Sequence, residues 1–186
     1  MSKVWKPSKQ EIQEAFGKPI HDVIAPGLKV LFCGINPGLY SGATGHHFAR
    51  PGNRFWTTLY AAGFTDRVYS PFEDAALLKL GYGITNFVNR STATADQLSK
   101  EELIEGGRRL VEKVERFQPY CLAVVGVGAY RTAFQRSKAQ IGRQEDRIGG
   151  TVIWVLPNPS GLNANYQLNE LASVFGELRE EIATLM

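Results

Sequence analysis

The chain has 186 residues, 44% of them hydrophobic and 21% charged, enough for one domain with a full apolar core and ordinary for a globular protein. No apolar run approaches the roughly 18 residues of a membrane span, and the opening MSKVWKPSKQEIQEAFGKP lacks the apolar stretch and small-residue cleavage site of a secretory leader, so a cytoplasmic protein is expected. A net charge of +3 is compatible with a polyanionic partner without requiring one.

Residues 1–21 read as an N-terminal extension and residues 22–186 as a single domain, since no repeat, low-complexity tract or linker divides them. The first strand is KVLFCG (29–34), a short apolar run closed by glycine. NRFWTTLYAAG (53–63) carries Phe55, Leu59 and Ala62 at helical spacing. PFEDAALLKLG (71–81) opens on proline and acidic residues and closes on Lys79 and Gly81, the charge polarity of a helix. GITNFV (83–88) is the second strand. In SKEELIEGGRRLVEKVERFQP (99–119), Ser99 stands three residues before Glu102, a capping-box spacing, and the helix stops before Pro119. Its Gly106-Gly107 pair either weakens the interior or admits a close neighbour. CLAVVG (121–126), GVGAYRTAFQRS (126–137), TVIWVL (151–156) and NELASVFGELREEIATL (169–185) follow as strand, helix, strand and helix. Near-continuous apolar strands alternating with helices predict an α/β fold, a three-layer sandwich around a central, mostly parallel four-stranded sheet. Cys33 and Cys121 sit in or beside apolar runs without a CxxC partner, and read as buried free thiols rather than zinc or iron–sulfur ligands.

Ligands of such sheets gather outside the carboxyl ends of the strands. There the sequence places GINPGLYSGATGHHFARPGNRFW after the first strand, NRSTATADQLS after the second and PNPSGLNANY after the fourth. Two of these loops set an Asn-Pro at the strand end, Asn36-Pro37 and Asn158-Pro159. The proline biases the asparagine toward extended backbone and removes a competing N–H, although Asn, Pro, Gly and Ser also make ordinary turns. The first loop has no phosphate-loop spacing, and the chain has no GxSxG nucleophile elbow. GVGAYR (126–131) is a weak nucleotide signal that more often only packs a helix on its sheet. His46 and His47 lack a surrounding carboxylate cluster and read as solvated loop residues rather than a metal site.

The ordered set GINPG (34–38), ARPGNRFW (49–56) and NPSG (158–161), joined by GFTDR (63–67) and SKEEL…GGR (99–108), resembles the mismatch-specific uracil/thymine DNA glycosylases, a branch of the uracil-DNA glycosylase superfamily. The similarity runs over roughly residues 22–180. It implies a uracil-DNA glycosylase-like fold and a monofunctional enzyme, without metal or organic cofactor. Such an enzyme flips a uracil, or a related pyrimidine, from G:U or G:T mispairs of double-stranded DNA and hydrolyses its N-glycosidic bond. Flipping costs a few kcal/mol and least at a mispair.

Residue by residue, the resemblance implies that Asn36 positions the attacking water, which an amide can orient but not deprotonate. Ile35 and Phe48 contact the base, with the Phe48 ring stacked on it; Ser41 and Asn86 line its pocket. Asn158 stands where other branches carry a histidine that assists the leaving base. Gly161, Leu162 and Asn163 form the wedge that fills the vacated stack, and Arg50, Arg54 and Arg90 contact phosphates. The chain departs from the family in reading Asn163-Ala164 where Ser-Arg often follows the wedge leucine, and in carrying His46-His47 where relatives are more apolar. Asp96, the only carboxylate on these loops, is either a base for the water or a cap for the helix beginning near Ser99. A monomer is expected. Two alternatives stay open at this point: a non-catalytic binder of mispairs or abasic sites on the same fold, and an unrelated nucleotide-binding module using GVGAYR.

Overall fold

A computed structural model describes residues 5–185; residues 1–4 of the expected extension, and Met186, lie outside them. Five strands, β1 (Val30–Gly34), β2 (Tyr82–Asn86), β3 (Cys121–Val125), β4 (Gly142–Ile148) and β5 (Thr151–Leu156), form one sheet in the order β2-β1-β3-β5-β4. The first four in that spatial order are parallel, and β4 runs antiparallel to β5. The α/β sandwich is therefore as expected, with one strand more. The missed strand, GRQEDRI, is polar and mostly exposed. It needs no apolar run because it lies at an edge, where charged side chains also discourage pairing with another chain.

The buried strands alternate their side chains between two cores, the period-2 consequence of the pleat. Phe32, Ala123, Val125, Trp154 and Leu156 face one layer, which is completed by α3 (Phe55–Ala61) and α6 (Leu168–Leu185). Leu31, Cys33, Leu122, Val124, Ile153 and Val155 face the other, completed by α4 (Lys100–Phe117) and α5 (Val127–Ala133). Both cysteines are free and buried, and burial pushes both thiols well above their ordinary pKa. The segment Pro71–Leu80 is a 3₁₀ helix rather than an α-helix, entered through a Ser70–Glu73 capping box and left through Gly81 at φ 85°.

Helix α4 begins at the expected cap. Ser99 Oγ accepts from the Glu102 N–H at 3.1 Å, and Glu102 Oε2 accepts from the Ser99 N–H at 2.8 Å. Its glycine pair is explained by approach. A Cβ on Gly106 would collide with the carbonyl of Phe87, and one on Gly107 would stand 2.7 Å from the carbonyl of Ala133. Without the glycines α4 could not close on the end of β2 and on α5. Gly106→Ala is accordingly expected to lower unfolding stability by about 1–3 kcal/mol, the usual range for overpacking, as measured by urea denaturation; a neutral or stabilising result would mean that the helix packs elsewhere.

The N-terminal segment is packed into the domain rather than merely appended to it. After the short helix α1 (Lys9–Glu14), Ala15 and Ile20 are buried and Val23 forms an antiparallel bridge with Ile84. Ser91 donates through both its N–H and its hydroxyl to the carbonyl of Lys18, at 3.0 and 2.6 Å. The Ile20 N–H donates to Asn89 Oδ1 at 3.1 Å. Asp22 accepts from the Thr85 hydroxyl at 2.8 Å and pairs with Lys113 of α4. Residues 15–24 thus form a strap across the carboxyl end of β2.

Candidate active site

The sheet order reverses about β1, whose two neighbours are β2 and β3. At the carboxyl ends of these strands lies a cavity of about 270 Å³, where the geometry of open α/β sheets places ligands. The structure brings Ile35, Asn36, Ser41, Phe48, Asn86 and Asn158 to its wall. They come from three segments far apart in sequence, with Ser41 on a short helix after β1 and Asn86 the last residue of β2. Arg50 and Leu162 stand there too, with Ile20 of the strap and His47, which sequence reasoning placed in solvent.

Asn36 is held through its amide nitrogen. Nδ2 donates to the carbonyl of Arg90 at 2.9 Å, to Thr92 Oγ1 at 2.7 Å and to the carbonyl of Pro37 at 3.2 Å. Carbonyls only accept, and the Thr92 hydroxyl hydrogen is committed to the carbonyl of Thr94 at 2.8 Å. The amide can therefore sit in one orientation only. Oδ1 is the end left to accept from a ligand in the cavity that Asn36 lines.

The other motif residues explain each other. In Asn53-Arg54-Phe55-Trp56, the Phe55 ring stacks on Phe48 with centroids 4.1 Å apart and planes 21° apart. Trp56 Nε1 donates to the carbonyl of His47 at 3.2 Å. Phe48 itself has φ 51°, a left-handed conformation that costs a bulky residue on the order of 1–3 kcal/mol and is tolerated where the surroundings hold it. Ser41, on α2 (Leu39–Thr44), is buried and its Oγ accepts from the Ala49 N–H at 3.1 Å, fastening the far end of the same loop. Gly34 is required by crowding, since a Cβ there would lie 2.5 Å from Asn86 Oδ1 and 3.3 Å from the Phe48 ring.

Asn158 is used the opposite way round from Asn36. Its Oδ1 accepts from the Ser160 N–H at 2.9 Å, so Nδ2 is the end left to donate toward the cavity. Its carbonyl accepts from Asn163 Nδ2 at 3.0 Å, and the Leu162 N–H donates to Ser160 Oγ at 3.2 Å. A Cβ on Gly161 would stand 2.6 Å from the carbonyl of Gly52, so only glycine lets the two rim loops touch. At the tip of this tight turn Leu162 is 72% exposed, an apolar side chain held in water by its backbone.

The expected phosphate-binding arginines divide. Arg50 is exposed at the cavity rim. Arg54 is turned inward: Nη1 donates to the carbonyl of Tyr166 at 2.6 Å, and Nη2 to those of Ser160 and Asn163 at 2.7 and 3.0 Å. Arg90 forms a two-pronged pair with Glu102 at 2.6 and 3.0 Å; that guanidinium, with the Ser99 N–H, holds the Glu102 carboxyl down at about 2. Arg54 and Arg90 are thus engaged with the protein itself, a role the sequence does not announce.

Asp96 does not cap α4. It is exposed, bonds the hydroxyl of Thr94 within a one-turn 3₁₀ helix (Ala95–Gln97), and does not line the cavity; Ser99 caps α4. The histidines also depart from expectation. His46 is half-buried with Nδ1 3.1 Å from Asp74, and His47 is 2% exposed. No local pattern separates two adjacent histidines. Only the fold, which closes the strap and the Pro71–Leu80 segment over one of them, makes it part of the wall.

The model of the uracil DNA glycosylase superfamily matches residues 21–180. The chain belongs to that superfamily. Its members are DNA glycosylases, enzymes acting on N-glycosidic bonds, and the motif loops that build the cavity all fall inside the match. Residues 5–20, including α1 and the cavity residue Ile20, lie outside it. Among the described residues, no helix is long and apolar enough to cross a membrane.

Proposed function

We propose that this protein is a monofunctional DNA glycosylase of the mismatch-specific uracil/thymine branch, which flips uracil out of G:U, and thymine or related pyrimidines out of G:T and similar mispairs, and hydrolyses the glycosidic bond. The observation that carries this reading is the Asn36 amide on the cavity wall, whose nitrogen is committed to three protein acceptors so that Oδ1 is the end left to accept. An acceptor fixed before substrate arrives orients a water without reorganisation in the transition state. Deprotonation is not asked of it: positive charge builds on the sugar, the water attacks late, and its proton passes to solvent and from there to the departed base anion.

The departing base leaves with negative charge on its oxygens. Asn158 Nδ2 is placed to donate to that charge, taking with a neutral amide the part an imidazole takes elsewhere. Phe48, backed by Phe55, offers a face for the base to stack on, an interaction worth about 1–3 kcal/mol. Asn86 reads the pyrimidine edge. Leu162 enters the stack in place of the flipped nucleotide, with Gly161 and Asn163 supplying the backbone beside it. Phosphate contacts fall to Arg50 and to backbone N–H groups, since Arg54 and Arg90 already have protein partners. We further propose that the protein acts as a cytoplasmic monomer and that residues 22–186, with the strap, form the catalytic unit.

Incubation with a duplex carrying one G:U pair, followed by alkali, tests the reading. Strand scission at the uracil supports it. No carboxylate lines the cavity among the described residues, which favours as second reading a protein that binds the lesion without cutting; that reading expects a retarded, intact duplex. Asp96→Ala is expected to leave the single-turnover excision rate within about twofold, because Asp96 is exposed and is not among the residues lining the cavity. A loss of about tenfold or more in that assay would reinstate Asp96 as a base.

A further inference from the structure

His47 makes two polar ring contacts, and they are of opposite kind. Its Nε2 lies 2.8 Å from the carbonyl of His21 on the strap, and its Nδ1 lies 3.5 Å from Asn86 Nδ2 on the cavity wall. A carbonyl oxygen only accepts, so Nε2 carries the proton. Nδ1 of the neutral ring is then a lone pair, which the Asn86 amide must meet with its NH₂ end. Asn86 Oδ1 then lies at the other end of the amide, packed beside Gly34, a residue of the cavity wall.

We infer that His47 is a positioning residue, which fixes the Asn86 amide with its oxygen toward the base and so selects pyrimidines that carry a hydrogen on N3. This rests on the glycosylase reading above. Uracil and thymine present N3–H, which that oxygen can accept, and cytosine presents a lone pair at the same place, which it repels. Without the histidine a half-turn of the amide about its last torsion would expose NH₂ instead, and the preference would fade. The N-terminal strap thereby takes part in base selection through a backbone carbonyl.

The neutral ring is maintained by its surroundings. Burial lowers the His47 pKa below its ordinary value, opposed by the His21 carbonyl and by the charges of Asp74 on the Pro71–Leu80 segment and Asp22 on the strap, with His46 on its own loop acting in the same sense as burial. Lys113 of α4 offsets Asp22 by direct pairing. Protonation would put a second N–H against the Asn86 NH₂ group and remove the reason for its orientation.

Nitrogen-15 spectra of the imidazole rings, read in the free protein, test the tautomer whether or not the enzyme turns over. The expected result is a neutral, Nε2-protonated His47 at pH 7, and a protonated or Nδ1–H ring overturns the inference. Single-turnover excision then tests the coupling. His47→Phe, which fills the space but accepts nothing, should slow uracil excision about tenfold, as for one lost directed contact. His47→Asn, with an amide oxygen near the Nδ1 position, should recover most of that loss. In the background of Asn86→Ala the His47→Phe substitution should cost less than about twofold more. Free uracil should inhibit the native enzyme about tenfold or more better than free cytosine, and the gap should narrow in His47→Phe. Multiplicative losses in the double variant, or an undiminished gap, overturn the inference while leaving the glycosylase reading intact. A native protein that fails to cut uracil-containing DNA overturns the glycosylase reading, and the ring spectra then decide the orientation by themselves.

Discussion

Asn36→Ala is expected to lower single-turnover excision of uracil by about 10²–10³-fold with little change in duplex affinity, the range found when one preorganised polar group is removed from a transition state. On the proposed reading the residue orients the reacting water, and its amide hydrogens also hold the loop, so both effects need separating. Asn36→Asp separates them. An ionised carboxylate would set a negative oxygen against the carbonyls of Arg90 and Pro37, where the amide nitrogen now donates. Like dipoles and charges raise a carboxyl pKa, so the introduced acid should remain protonated to a higher pH than usual and donate to the same carbonyls. Its rate should be low near pH 5 and climb as pH rises through the elevated pKa, since only the ionised form is a base. The native enzyme, with no titrating group at this position, should lack that rising limb. A pH-independent Asn36→Asp rate, or an Asn36→Ala variant of native activity, would remove Asn36 from the chemistry.

That a strand should end on such an asparagine was legible in the sequence because Asn36-Pro37 and Asn158-Pro159 recur at two strand ends of one sheet edge. The roles of the two amides were not. They look alike as letters, yet one is pinned through nitrogen and the other through oxygen, and that difference is decided by partners 54 residues away for Asn36 and two residues away for Asn158. Four strands and the cap of α4 were readable from apolar runs and one Ser–Glu spacing. The fifth strand was not, because an edge strand has no buried face to write into the sequence. The protein partners of Arg54 and Arg90 were not legible for a related reason. Sequence shows a cation and not which way it faces, and both have carbonyl or carboxylate partners in the protein itself. His47 was invisible for the same cause in reverse, a polar residue buried by segments more than 20 positions away on either side.

The second large effect is expected at Arg54. Its guanidinium gathers the carbonyls of Ser160, Asn163 and Tyr166, and its own N–H donates to the carbonyl of Pro159 at 3.0 Å. The loop that presents Leu162 is therefore tied to α3 by one residue at four points. Arg54→Met keeps the aliphatic stem and withdraws the charge, leaving three part-buried carbonyls without their donor; the expected cost is about 2–4 kcal/mol of unfolding stability, by urea denaturation. Arg54→Lys should recover little, because one ammonium cannot span acceptors that a planar fork reaches together. Excision should fall more on duplex than on single-stranded uracil substrate, since only the duplex needs a wedge to hold it open. Leu162→Ala provides the control. That side chain is exposed, so its removal should leave stability within about 0.5 kcal/mol and still reproduce the duplex-specific loss of roughly tenfold, the size expected when an apolar wedge no longer offsets unstacking. If Arg54→Met lowered both substrates equally while Leu162→Ala lowered neither, the loop would be a structural rim, and the opening of the duplex would have to be assigned to another part of the surface.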